Sequence, residues 1–114
     1  MVSSLDRAKR DRIRELNDNF RTTFEGGRVV LTQGVDALDS NMKAMALRKV
    51  ATFVQFDDDN DPHKEHDFGS FELAGRSLFW KIDYYDQTLT FGSDDPSDPE
   101  QTTRVLTIML AEEY

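Results

Sequence analysis

Apolar residues recur along the chain in two periods, one helical and one extended. Between Ser3 or Ser4, either of which can cap a helix, and Gly26-Gly27, which can stop one, Ile13, Leu16, Phe20 and Phe24 follow helical spacing. One long helix is predicted there, and residues 1–10 should project or fray, because only Leu5 and Ala8 break its charged first turns. Arg28-Val29-Val30-Leu31-Thr32-Gln33 has the β-branched character of a short buried strand ended by Gly34. After an Asp39-Ser40 cap, Met42, Met45, Ala46, Val50 and Phe53 return to helical spacing.

From Phe71 onward the period is two. Phe71 and Leu73 lead into a turn at Ala74-Gly75-Arg76, and Leu78, Trp80, Ile82 and Tyr84 alternate with Phe79, Lys81, Asp83 and Tyr85. Thr88-Leu89-Thr90-Phe91-Gly92 alternates again and predicts one more strand. Asp98, Pro99 and Gln101 read as the cap of a final helix, whose Val105, Leu106, Ile108, Met109, Leu110 and Ala111 are apolar almost all round. The pattern predicts a single α+β domain over residues 1–114. Its order is α-β-α-β-β-β-α, a four-stranded, mainly antiparallel sheet packed with about three helices.

A length of 114 residues with 38 % hydrophobic and 11 % aromatic residues sustains one core and no second. Mean hydropathy is -0.63, and the chain lacks both a membrane-spanning apolar run and a signal-peptide start, so a cytoplasmic protein without membrane contact is expected. With no cysteine there is no disulfide and no thiolate chemistry. The formal charge of -8 is uneven: residues 1–28 are net positive and the remainder strongly acidic. Such a body repels phosphates, which argues against direct nucleic-acid binding and for a basic protein partner.

The candidate chemistry sits between Phe56 and Gly69, with five aspartates, both histidines and Pro62. Asp57, Asp59 and Asp61 match the first, third and fifth positions of a calcium loop, but Pro62 stands at the sixth and Phe68 at the twelfth, so the full pattern is missing. A looser divalent-metal set would use His63, His66, Asp67 and Asp61. The same residues also suit a solvated turn, since Asn60-Asp61-Pro62 forms turns and aspartates satisfy loop amides. No nucleophile elbow and no phosphate-binding glycine loop is present, so no catalytic residue is assigned. A second acidic run covers Asp94, Asp95 and Asp98, and together with Asp57, Asp58, Asp59 and Asp61 it makes the candidate partner-binding set.

Several segments carry a resemblance: Ile13-Arg14-Glu15-Leu16-Asn17-Asp18, Gly27-Arg28-Val29-Val30-Leu31-Thr32, the acidic loop from Phe56 to Gly69, Phe79-Trp80-Lys81-Ile82-Asp83-Tyr84-Tyr85, and the stretch from Thr103 to Tyr114. Across nearly the whole chain the sequence resembles an uncharacterised small bacterial family, domain-of-unknown-function family 3768. The resemblance implies no activity. It implies a setting among plasmid and mobile-element genes, where inhibitors of host defence occur. The expectation is therefore a small acidic non-enzymatic binding protein, an inhibitor of a nucleic-acid-processing or defence enzyme of the anti-CRISPR or anti-restriction type, acting as a nucleic-acid mimic. The alternative is a divalent-metal-binding module or metal-dependent hydrolase built on loop 57–67. The oligomeric state stays open.

Overall fold

In a computed structural model that describes residues 3–114, the first helix, α1 (Ser4–Thr23), starts on Ser3, whose hydroxyl accepts the Asp6 amide at 3.1 Å. It stops one turn before the predicted glycines. Phe24 takes the left-handed conformation (φ 61°) and returns its amide to the Phe20 carbonyl. That geometry is unfavourable for a side chain, and Phe24 offsets it by packing its ring against the core. Residues 3–9 are exposed throughout; residues 1 and 2 of the stretch expected to project lie outside the described residues.

Strand β1 (Gly27–Leu31) leads into α2 (Gln33–Asp36), a single turn that the periodicity does not predict and that drops Val35 into the core. Helix α3 (Ser40–Ala51) is capped as expected by Asp39, whose carboxylate accepts the Met42 amide at 2.8 Å. Strands β2 (Phe68–Leu73) and β3 (Arg76–Tyr85) form a hairpin across Ala74-Gly75, both with positive φ as a two-residue turn of this hand requires.

Two segments depart from the predicted assignment. Thr88–Gly92 is a loop joined to the sheet by one bridge, Tyr85 to Gly92. The Asp86 carboxylate accepts the amides of Thr88 and Thr90 at 3.1 and 3.0 Å, and this local satisfaction outcompetes a strand ladder. The predicted final helix is instead strand β4 (Thr103–Leu110), followed by a 3-10 turn (Ala111–Glu113). Its apolar run looked helical because the strand is buried on one face and partly covered on the other, while Thr103, Val105, Thr107 and Ile108 supply the β-branched bias. The capping signal at Asp98 is real but closes only a turn: Asp98 accepts the Glu100 amide at 2.9 Å and the Gln101 side chain at 2.8 Å.

The α+β class stands, with one open four-stranded mixed sheet among the described residues in the order β1-β4-β3-β2. β4 lies between β1, which it pairs in parallel, and β3, which it pairs antiparallel. Leu78, Trp80 and Ile82 of β3 and Leu106, Ile108 and Leu110 of β4 form one buried face, and Phe20, Val35, Ala46 and Val50 from the three helices pack onto it. All the helices therefore cover the same side. No helix among the described residues is long and apolar enough to cross a membrane.

Gly69 lies where β2 passes under Trp80. A Cβ there would fall inside the indole's van der Waals envelope and 2.8 Å from Phe53 Cζ. Replacing Gly69 by Ala should destabilise the fold by about 2 kcal/mol, read as a lower urea midpoint with an altered tryptophan emission.

Candidate functional site

The register of the sheet gathers the acidic segments at one end of the molecule. β2 begins, β3 ends and β4 begins at this end, so loops 52–67 and 86–102 both leave the sheet there. The two loops hold eleven carboxylates and one lysine, a net of -10, which leaves the rest of the chain at +2. The molecule is thus polarised, with an acidic pole made by two loops.

The first loop is held by its own hydrogen bonds. Asp57 accepts the amides of Asp59 and Asn60 at 2.9 Å, Asn60 accepts the Asp57 amide, and the Asn60 side-chain amide donates to the Gln55 carbonyl. Asp61 is only 2 % exposed, and one of its oxygens accepts the amides of Glu65 and His66, both at 3.0 Å. That anchor forces Lys64 and His66 into positive φ, near 60° and 55°. The His66 ring stacks on Phe56 at 3.8 Å, places Nδ1 3.0 Å from an Asp18 oxygen, and lies 3.6 Å from Asp61 through Nε2.

These contacts decide the place of each sequence candidate. Asp58 and Asp59 are exposed; Asp58 pairs with Lys64, whose hydrogen bond and charge hold its carboxyl below the usual range. Asp57 is exposed but shapes the turn, and Asp61 is interior, which removes it from any contact surface. Asp94 is exposed. Asp95 accepts the Ser97 hydroxyl and amide, which lower its pKa, and Lys9 approaches it at 3.9 Å. Asp98 caps its turn.

The metal set does not come together. His63 is exposed and lines a cavity of about 390 Å³ with Arg10, Lys64 and Glu65, while His66 turns inward to Asp18. Asp67 is half-buried, and burial, followed by the charge of Glu65, pushes its carboxyl above the usual range. Among the described residues no three His, Cys, Asp or Glu side chains are grouped to hold a metal ion.

A buried polar network beneath the loops has no counterpart in the sequence reading. Asn17 is fully buried and Arg104 is 3 % exposed. Arg104 Nε donates to the Asn17 carbonyl oxygen at 2.7 Å, and its Nη2 donates to the Pro96 carbonyl at 2.6 Å in the second loop. The Asn17 amide donates to the Glu65 carbonyl at 2.9 Å and to the Tyr84 hydroxyl at 2.8 Å, and that hydroxyl donates to the Glu65 carboxylate at 2.8 Å. Burial and the Glu65 charge raise the Tyr84 pKa far above that of a free phenol, so it stays a neutral donor. One turn further along α1, Arg21 donates to the Val50 and Phe53 carbonyls and to Asp18, under the rings of Phe56 and Trp80. Asn17 and Arg21 follow Ile13 at helical spacing, and Arg104 alternates with Leu106 and Ile108. Polar residues in register with apolar ones were the available signal.

A family model described as a protein of unknown function (DUF3768) matches residues 31–113. No curated protein and no solved structure matches the chain. The match takes in Glu65, Tyr84 and Arg104 but stops short of α1, which supplies Asn17, Asp18 and Arg21.

Two outcomes follow from this geometry. Asn17→Ala strips partners from Arg104, Tyr84 and the Glu65 carbonyl at once; it should cost about 3 kcal/mol in urea unfolding and speed amide exchange in both acidic loops. Asp67 has a folded pKa above its unfolded one, so its contribution is complete below the unfolded value near 3.8 and is lost as pH rises through the folded one. Measured across pH, Asp67→Asn should therefore gain stability relative to the parent as pH climbs from that region towards neutrality. A flat difference would show that Asp67 ionises in the fold without penalty.

Proposed function

The chain belongs to the DUF3768 family of unknown function, and with its polarised charge as the second premise we propose that it is a non-enzymatic binding protein whose acidic pole engages a basic protein. The observation that carries this reading is the fixed display of carboxylates. Asp58, Asp59 and Asp94 are exposed on loops whose backbones are held by Asp57, Asn60, Asp61 and Asp95, so little ordering is left to be done on binding. Below the pole Asn17, Tyr84, Glu65 and Arg104 are tied to one another by hydrogen bonds, which suits a scaffold better than a reaction centre.

The partner chemistry that fits is a cationic cleft of the kind that receives nucleic acid. Spaced carboxylates can stand in for phosphates there, and the protein would act as an inhibitor, in keeping with a defence enzyme as target. Complementary fields of this kind speed association and weaken steeply with salt. A chain without cysteine suits a reducing compartment, and the proposed site of action is the cytoplasm.

The test is capture on immobilised protein from host lysate at low salt, run beside Asp58→Asn, Asp59→Asn, Asp94→Asn. Asp59 and Asp94 hold no loop amide and Asp58 only meets the exposed Lys64 ammonium, so the variant should melt close to the parent. The expected result is a basic partner retained by the parent, released by raised salt and missed by the variant. Equal retention by the variant, or retention indifferent to salt, would overturn the proposal.

A further inference from the structure

Carboxylates are spread along this acidic chain but miss one stretch. Between Asp39 and Asp57 there is no acidic residue, the longest such interval in the sequence, and it carries Lys43, Arg48 and Lys49. Most of the interval is α3, which buries Ala46 and Val50 and turns Asn41, Ala44, Met45, Arg48 and Lys49 outward at the spacing of one helical face. Lys43 pairs with Asp36, whereas among the described residues the Arg48 guanidinium and the Lys49 ammonium meet no carboxylate. Most other cations of the chain are engaged within it, as Arg12 is with Glu15, Arg76 with Glu112 and Lys81 with Asp83. A shallow concavity of about 600 Å³ lies over the five outward residues of α3. Lys49 also borders a second, of about 200 Å³, that reaches Val54 and Phe71. Met45 is 48 % exposed and Val54 79 %. We propose that the outer face of α3 receives an acidic amphipathic helix of a partner protein.

Charge and shape select this occupant. Ala44 keeps the middle of the face low enough for a second helix to approach, and Met45 beside it adapts to the apolar ridge that such a helix brings. Arg48 and Lys49 flank this apolar part, within reach of carboxylates one turn away from the ridge. A helix whose apolar residues recur every three to four positions among Asp and Glu supplies both contacts. A cation in the last turn also complements the dipole of α3, but that need does not account for two of them beside an exposed methionine.

Other occupants fit less well. Nucleic acid requires more clustered cations than this face holds on a chain of charge -8. An anionic bilayer is repelled by the same net charge, and Met45 and Val54 offer too little apolar surface to enter it. A second copy has its carboxylates concentrated in loops, and its long helix, α1, is net positive. The proposed contact uses none of the carboxylates of the acidic pole, so the molecule carries two surfaces of opposite sign.

The probe is a fluorescein-labelled helical peptide of Glu, Ala and Leu with its leucines on one face, run beside the same peptide with Gln in place of Glu. Fluorescence anisotropy with the full chain should show the Glu peptide bound and the Gln peptide bound about tenfold more weakly or worse. The double variant Arg48→Gln, Lys49→Gln should weaken the Glu peptide to the same degree, with unchanged circular dichroism. Ala44→Gln, which fills the concavity without altering charge, should weaken both peptides. Asp58→Asn, Asp59→Asn, Asp94→Asn should bind the Glu peptide at least as tightly as the parent, which separates this face from the acidic pole. Methyl spectra give an independent readout: the Met45 resonance should shift on titration, while that of Met109, which borders the trough on the opposite side of the sheet, should stay. Equal binding of the two peptides, an affinity indifferent to the Arg48 and Lys49 variants, or a Met45 methyl that stays silent at millimolar peptide would overturn the proposal. A concentration-dependent dimer of the chain alone that Ala44→Gln abolishes would also overturn it, because a second copy would then occupy the face.

Discussion

The contact between Arg104 and Asn17 is the joint on which the arrangement of this molecule depends. A guanidinium taken almost entirely out of water must find acceptors or the fold does not hold. Its acceptors come from a helix and from a loop, the Asn17 side chain and the Pro96 carbonyl. Asn17 in turn satisfies the other loop through the Glu65 carbonyl. One buried charge thus fixes α1 on the sheet and sets the distance between the two acidic loops. Burial disfavours the Arg104 cation, and the Tyr84 and Glu65 groups beside it offset part of that cost.

That joint also explains which features could be read from residues alone. Helix α3 and the β2–β3 hairpin follow from local signals, the Asp39 cap and the alternation around Ala74-Gly75, and both appear where expected. The span Val105 to Leu110 was misread because apolar residues on consecutive positions erase the period, and only the neighbouring strands tell a central strand from a buried helix. The loop at Asp86 was misread for the opposite reason: a good alternation was overruled by one carboxylate collecting nearby amides.

For the acidic pole, composition located the loops but could not sort the carboxylates within them. Asp58 and Asp61 are alike as letters; one is exposed beside Lys64 and the other is an interior anchor. His66 invited a metal reading because its partner, Asp18, lies 48 positions away on α1. Long-range pairing of this sort leaves no trace in spacing. The polar letters on the buried face of α1, Asn17 and Arg21, were the only local hint that the core there is not purely apolar.

The parallel pairing of β1 with β4 sets the order of events when the chain folds. Gly27 meets Arg104 across 77 positions of sequence, and β4 must enter between two strands made earlier. Until it arrives, β1 has no neighbour in the sheet and the β2–β3 hairpin has an uncovered long edge carrying Trp80 and Ile82. Contacts of such separation close slowly, because the entropy of the loop is lost before the contacts form. During synthesis the nascent chain therefore passes through a stage in which its most apolar hairpin is exposed, and chaperone engagement or aggregation at that stage competes with insertion of the central strand.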